Sequence, residues 1–157
     1  MSAQANHTLV VGIGASAGGL EAVSELIRHL DTRIPACFVV LQHLSPNHKS
    51  MMPEILSRET DLPVIGLQRA TKPRQGTIYV VPANSNAIFK DGRIELTPVV
   101  PEVSPKPSIN KFFTTLAKEM HDLAIGVVLS GTGSDGTAGL RAIQAEGGVF
   151  DSVLGLH

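Results

Sequence analysis

The chain has 157 residues, of which 43% are hydrophobic and 17% charged, with a formal net charge of −1, the composition of one globular domain around a single core. That charge supplies no electrostatic footprint for nucleic acid, and 4% aromatic residues leave little to stack on bases. No apolar run approaches the roughly 18 residues of a membrane-spanning helix, and the polar start lacks a signal-peptide pattern. Cys37, the only cysteine, excludes an internal disulfide and a cysteine-built zinc site. The reading is a cytoplasmic protein with no nucleic-acid partner and no membrane insertion.

Residues 1–8 are read as a flexible tail and 9–157 as the domain. Leu9-Val10-Val11 predicts a short buried strand, and the small residues after it a tight turn into a helix. Two patterns overlap in that turn. Gly14-Ala15-Ser16-Ala17-Gly18 fits the G-x-S-x-G turn that presents a nucleophilic serine. Gly12-Ile13-Gly14-Ala15-Ser16-Ala17 fits the G-x-G-x-x-A turn that cradles a pyrophosphate.

Leu20, Val23, Leu26, Ile27 and Leu30 recur at helical spacing and predict a helix over residues 18–30. Cys37-Phe38-Val39-Val40-Leu41 is a continuous apolar run, as in a strand covered on both faces, and ends in Gln42-His43. A helix over residues 48–60 is expected to bury Met51, Met52, Ile55 and Leu56. Pro63-Val64-Ile65 suggests a third strand; a fourth follows from Thr77, and two more flank Asp91-Gly92 as a hairpin. The proline-rich residues 98–107 read as a surface connection. Ile109, Phe112, Phe113, Leu116 and Met120 mark a helix capped by Ser108, Ala124 to Leu129 form a buried strand, and a last helix covers residues 137–145. Alternating strands and helices predict an open, mainly parallel, doubly wound α/β sheet flanked by helices in three layers, with an antiparallel hairpin.

In such sheets ligands bind outside the carboxyl ends of the strands. Three of those ends carry Ser16, His43 and Asp135. A serine hydroxyl needs an imidazole to accept its proton, and the imidazole needs a carboxylate to fix its tautomer. Each residue alone has a plainer reading: Ser16 as a helix N-cap, His43 as a polar residue at a strand end, Asp135 as a cap within a turn. Their conjunction at three parallel strand ends favours chemistry. With Ser16 at a helix start, the Ala17 amide is a natural oxyanion donor, and the glycine-rich turn around Thr132 offers a second. A dinucleotide site would want an acid at the end of the second strand, where this chain has Gln42-His43; a nucleotide-binding domain is therefore the lesser alternative. No pair among His7, His29, His48, His121 and His157 has the spacing of a metal site, so neither metal nor cofactor is expected.

GIGASAGG, QHLSP, PSINKFF and IGVVLSGTGSDG together resemble the catalytic domain of chemotaxis protein-glutamate methylesterases of the CheB type, over most of the chain. The resemblance implies a catalytic triad of Ser16, His43 and Asp135, hydrolysis of glutamate methyl esters on the cytoplasmic helices of chemoreceptors, and glutamine deamidation in many members. Two motif positions depart from better-known members: Ala17 follows the serine where they have Thr, and Thr132 stands where they have Met. The SGTGSDG form is closer to proteins fusing methylesterase and methyltransferase domains, so a fused or associated methyltransferase or receiver domain is a candidate partner. The family continues beyond the strand after Gly147-Gly148, so the chain reads as cut short at its C-terminus. This raises a second alternative: a catalytically silent, receptor-binding module.

Overall fold

The computed structural model describes residues 8–16, 18–43, 51–83, 85–97, 107–129 and 135–153, with the side chains of Ser152 and Val153 left aside. Six strands form one parallel sheet in the order β3-β4-β2-β1-β7-β8. They are β1 (Leu9–Ala15), β2 (Ala36–Gln42), β3 (Val64–Gly66), β4 (Ile78–Val80), β7 (Ala124–Leu129) and β8 (Val149–Val153). From β1 the chain passes to β2 beside it, then to the edge strand β3 and back to β4 between β3 and β2, before crossing to the other side of β1 with β7 and β8. The reversal lies between β1 and β7, the topological switch point where open α/β sheets place their ligands.

Helices α1 (Leu20–Arg28) and α2 (Met52–Ser57) cover one face, meeting Val11, Ile13, Phe38, Val40, Ile78 and Val80. Helices α3 (Ile109–Met120) and α4 (Thr137–Ala145) cover the other, against Val10, Cys37, Val39, Leu41 and Val128. All seven residues of β2 are buried, which explains why its sequence is an unbroken apolar run rather than an alternating one.

Gly12 and Gly14 belong to β1 itself, not to the turn beyond it. A Cβ on Gly12 would lie 2.6 Å from Phe113 Cε1, and one on Gly14 would lie 2.7 Å from Ile109. These glycines let α3 approach the sheet. On β7, a Cβ on Gly126 would meet Ile143 at 2.6 Å and Phe113 at 3.0 Å. Phe113 therefore sits on a floor of glycine made by two neighbouring strands.

The hairpin of β5 (Asn86–Lys90) and β6 (Arg93–Thr97) is a separate two-stranded ribbon rather than an extension of the sheet. Its turn residues Asp91 and Gly92 have φ of 53° and 76°, the left-handed pair that a two-residue hairpin demands. It packs along α3: the Phe89 amide donates to Thr115 Oγ1 at 2.9 Å, and Phe89 meets Phe112 edge-on with centroids 6.5 Å apart.

Three expectations need correction. Helix α1 starts at Leu20, after Gly19, so Ser16 lies in the turn ahead of the helix and does not cap it. Helix α2 is short, Met52–Ser57, because Pro53 opens it and the chain turns at Arg58. Met51 stands outside it and is 55% exposed, leaving Met52 and Leu56 as its core contacts. Among the described residues, no helix is long and apolar enough to cross a membrane.

Candidate active site

Ser16 follows the last residue of β1, and His43 follows the last residue of β2. The two strands run in register, Ala15 opposite Gln42, and the His43 amide donates to the Ala15 carbonyl at 2.9 Å. Ser16 and His43 are thus the first residues beyond two paired, neighbouring strand ends. The Ser16 carbonyl accepts from the Gly19 amide at 2.9 Å and from Gln42 Nε2 at 3.4 Å. Gln42 is 3% exposed, so a buried amide side chain ties the serine turn to the strand that carries His43.

Asp135 lies beyond β7, immediately before α4. Its carboxylate is the receiving point of three donors. Oδ2 accepts from His43 Nε2 at 2.7 Å and from the Ile109 amide at 2.8 Å, while Oδ1 accepts from the Asn110 amide at 2.8 Å. The sequence-based alternative of a cap within its own turn is corrected here: Asp135 caps the first turn of α3, a different helix, and Gly136 holds the N-cap position of α4.

Burial by itself would raise the Asp135 carboxyl, but the hydrogen bonds from His43, Asn110 and Ile109 outweigh it, and the group is held below its ordinary range. Positive potential at the start of α3 acts in the same direction. An ionised carboxylate only accepts, so the His43 nitrogen facing it carries the proton and the neutral ring presents its lone pair at Nδ1. His43 and Asp135 side chains are 15% and 18% exposed, shielded enough to strengthen their interaction and open enough to meet a substrate.

The structure thus brings His43 and Asp135 into direct contact and sets Ser16 on the adjoining strand end. Ala17 and Thr132, the expected oxyanion donors, lie outside the described residues. Asn110 and Gln42 were not singled out as site residues from the sequence. Asn110 lies in PSINKFF two places after the Ser108 cap, where a polar side chain reads as an ordinary helix start. Its Oδ1 accepts from the Gly136 and Gly139 amides at 2.8 Å each, contacts that only the fold creates. Among the described residues, no group of His, Cys, Asp and Glu could hold a metal ion.

These features define an open α/β domain with a carboxylate-oriented imidazole beside a strand-end serine at the sheet's switch point. Residues 11–151 match the family model described as CheB methylesterase, and the chain belongs to that family. It is 33% identical over 147 residues to a protein-glutamate methylesterase/protein-glutamine glutaminase of Pseudomonas savastanoi pv. phaseolicola, covering 93% of this chain and 44% of that protein. It is 32% identical over 140 residues to the protein-glutamate methylesterase FrzG of Myxococcus xanthus, covering 88% of this chain and 42% of that protein. The chain therefore spans less than half the length of these relatives. The crystal structure of the Thermotoga maritima CheB methylesterase catalytic domain superposes with a TM-score of 0.82 at 25% identity, covering 91% of this chain and 78% of that one.

Proposed function

We propose that this domain hydrolyses glutamate methyl esters on the cytoplasmic helices of chemoreceptors, with Ser16 as nucleophile, His43 as general base and acid, and Asp135 as the group that orients His43. The observation that carries the proposal is the 2.7 Å contact between His43 Nε2 and Asp135 Oδ2 beside the strand end that bears Ser16. The Pseudomonas savastanoi relative at 33% identity, whose name pairs methylesterase with glutaminase, supports the substrate class.

The Ser16 hydroxyl attacks the γ-carbonyl of a methyl-glutamate while its proton passes to His43 Nδ1. The imidazolium so formed is stabilised by Asp135, which stays ionised because three donors hold its charge. Collapse of the tetrahedral intermediate breaks the bond to the methoxy oxygen, which takes the His43 proton and leaves as methanol. Water then attacks the acyl-serine, giving its proton to His43, and the proton returns to Ser16 as the glutamate carboxylate departs. A glutamine side chain follows the same route with ammonia as leaving group. The product carries a new negative charge on the receptor helix, which biases a signalling equilibrium.

The Ala17 amide and the turn around Thr132 are proposed to hold the oxyanion, from their sequence positions next to the nucleophile and after β7. The relatives' greater length leaves room for a further segment, and the family resemblance of the SGTGSDG motif is what favours a receiver or methyltransferase segment there. Its substrate, on the cytoplasmic side of a receptor, sets its compartment.

Methanol release from methylated receptor tests the proposal. The chain as it stands is expected to release methanol, and Ser16→Ala to reduce the rate to background. Equal rates from both, or receptor binding without any release, would overturn it.

A further inference from the structure

We infer that Asn110 is a positioning residue for the reaction, locking Asp135 against His43 from two sides. The inference rests on the hydrolytic reading above. Asn110 is the second residue of α3, and its backbone N–H donates to Asp135 Oδ1 at 2.8 Å. Its side chain runs the other way, with Oδ1 accepting from Gly136 and Gly139 at 2.8 Å each. The Gly136 N–H lies in the peptide unit that Asp135 begins, so holding that N–H fixes the rotation of the peptide immediately after the carboxylate-bearing residue. One residue therefore restrains both the head group of Asp135 and the backbone from which it projects.

Two further features are built for this arrangement. Gly136 takes φ +112°, a conformation L side chains rarely adopt, and as the N-cap of α4 it has no side chain of its own to satisfy the helix amides. Asn110 supplies that missing acceptor from across the helix pair. Gly139 makes the distance possible: a Cβ there would stand 2.7 Å from Phe113 Cβ and 3.3 Å from Asn110 Cα. The result is a reciprocal exchange of caps, Asp135 for α3 and Asn110 for α4, whose shared corner is the carboxylate that contacts His43. A residue serving only as a helix cap would affect folding. A residue that sets the carboxylate would also change how His43 holds its proton.

The test compares Asn110→Ala and Asn110→Asp in the full chain, using p-nitrophenyl acetate turnover, its pH profile, and the low-field proton NMR signal of the His43 imidazole N–H facing Asp135. In Asn110→Ala, kcat for the folded protein is expected to fall on the order of 10²-fold with KM unchanged. The acid limb of the pH profile and the low-field proton should move with it. In Asn110→Asp, a carboxylate oxygen accepts the same two amides, so most of kcat and the proton signal should return. Should Asn110→Ala fail to fold, Asn110→Ser, which shortens the reach, takes its place. Wild-type kcat in the shortened variants, loss proportional only to the unfolded fraction with the proton unmoved, or no recovery in Asn110→Asp would each overturn the inference. Unchanged turnover in Ser16→Ala would sink the hydrolytic reading instead, and the proton signal would still decide the part played by Asn110.

Discussion

The two faces of the sheet are built by different means. On the α1/α2 face, mainly aliphatic side chains meet, neither helix has a side-chain cap, and Arg28 pairs with Glu25 and Glu59 in exposed positions. On the α3/α4 face, Gly12, Gly14, Gly126 and Gly139 admit Phe113, Ile109 and Asn110 at distances no larger residue would tolerate. There the helix starts are closed by Ser108, Asn110 and Asp135. Strict packing and strict polar satisfaction are concentrated on the side that orients the carboxylate. The other face carries the serine turn into α1 and relies on generic apolar burial.

The comparison breaks most severely at Asp135. Replacing it with Asn leaves the shape but not an obligate acceptor for His43, and steady-state kinetics should show kcat falling by about 10⁴-fold. The same variant isolates a pH effect. Because the folded carboxyl lies below its ordinary value of 3.8, ionised Asp135 contributes stability above that value, lost as pH falls through the lower, folded one. Urea titrations at successive acid pH values should therefore show a steeper decline for the parent than for Asp135→Asn.

Next in size is a matched pair of core truncations. Phe113→Ala should destabilise by about 3–5 kcal/mol and Ile27→Ala by about 2–5 kcal/mol in urea unfolding. At equal folded fraction only Phe113→Ala should also lower turnover, since Phe113 seats the helix whose first amides hold the Asp135 carboxylate. Similar specific activity in both would erase the distinction between the faces.

Gly14→Ala sharpens the same point. Its added methyl meets Ile109 at 2.7 Å, and Ile109 donates to Asp135, so a loss of about 1–3 kcal/mol should come with reduced kcat. The smallest effect is expected at Arg28→Ala, where solvent screens an exposed ion pair: the urea midpoint and turnover should both stay at parental values.

Much of this architecture was legible in the chain. The apolar run at Cys37, the helical spacing from Ile109 to Met120 and the Asp91-Gly92 turn are local signals, and each element formed where its period or turn chemistry demanded. Elements whose bounds depend on neighbours were less legible. Helix α2 covers only Met52–Ser57 of its apparent pattern, and α1 starts at Leu20 with Gly19 as its N-cap. Gly12 and Gly14 read as turn residues because a close approach by α3, remote in sequence, leaves the same mark on a sequence as a tight turn.

What the sequence by itself determined was the set of strands and helices, the residues at their carboxyl ends and the family to which their motifs belong. These depend on side-chain type and period, properties each segment carries alone. Only the tertiary structure decided which nitrogen of His43 faces Asp135, which helix Asp135 caps and what Asn110 holds. Those are relations between residues 92 and 26 positions apart, set by where the sheet order turns back on itself at β1, and no local pattern encodes them.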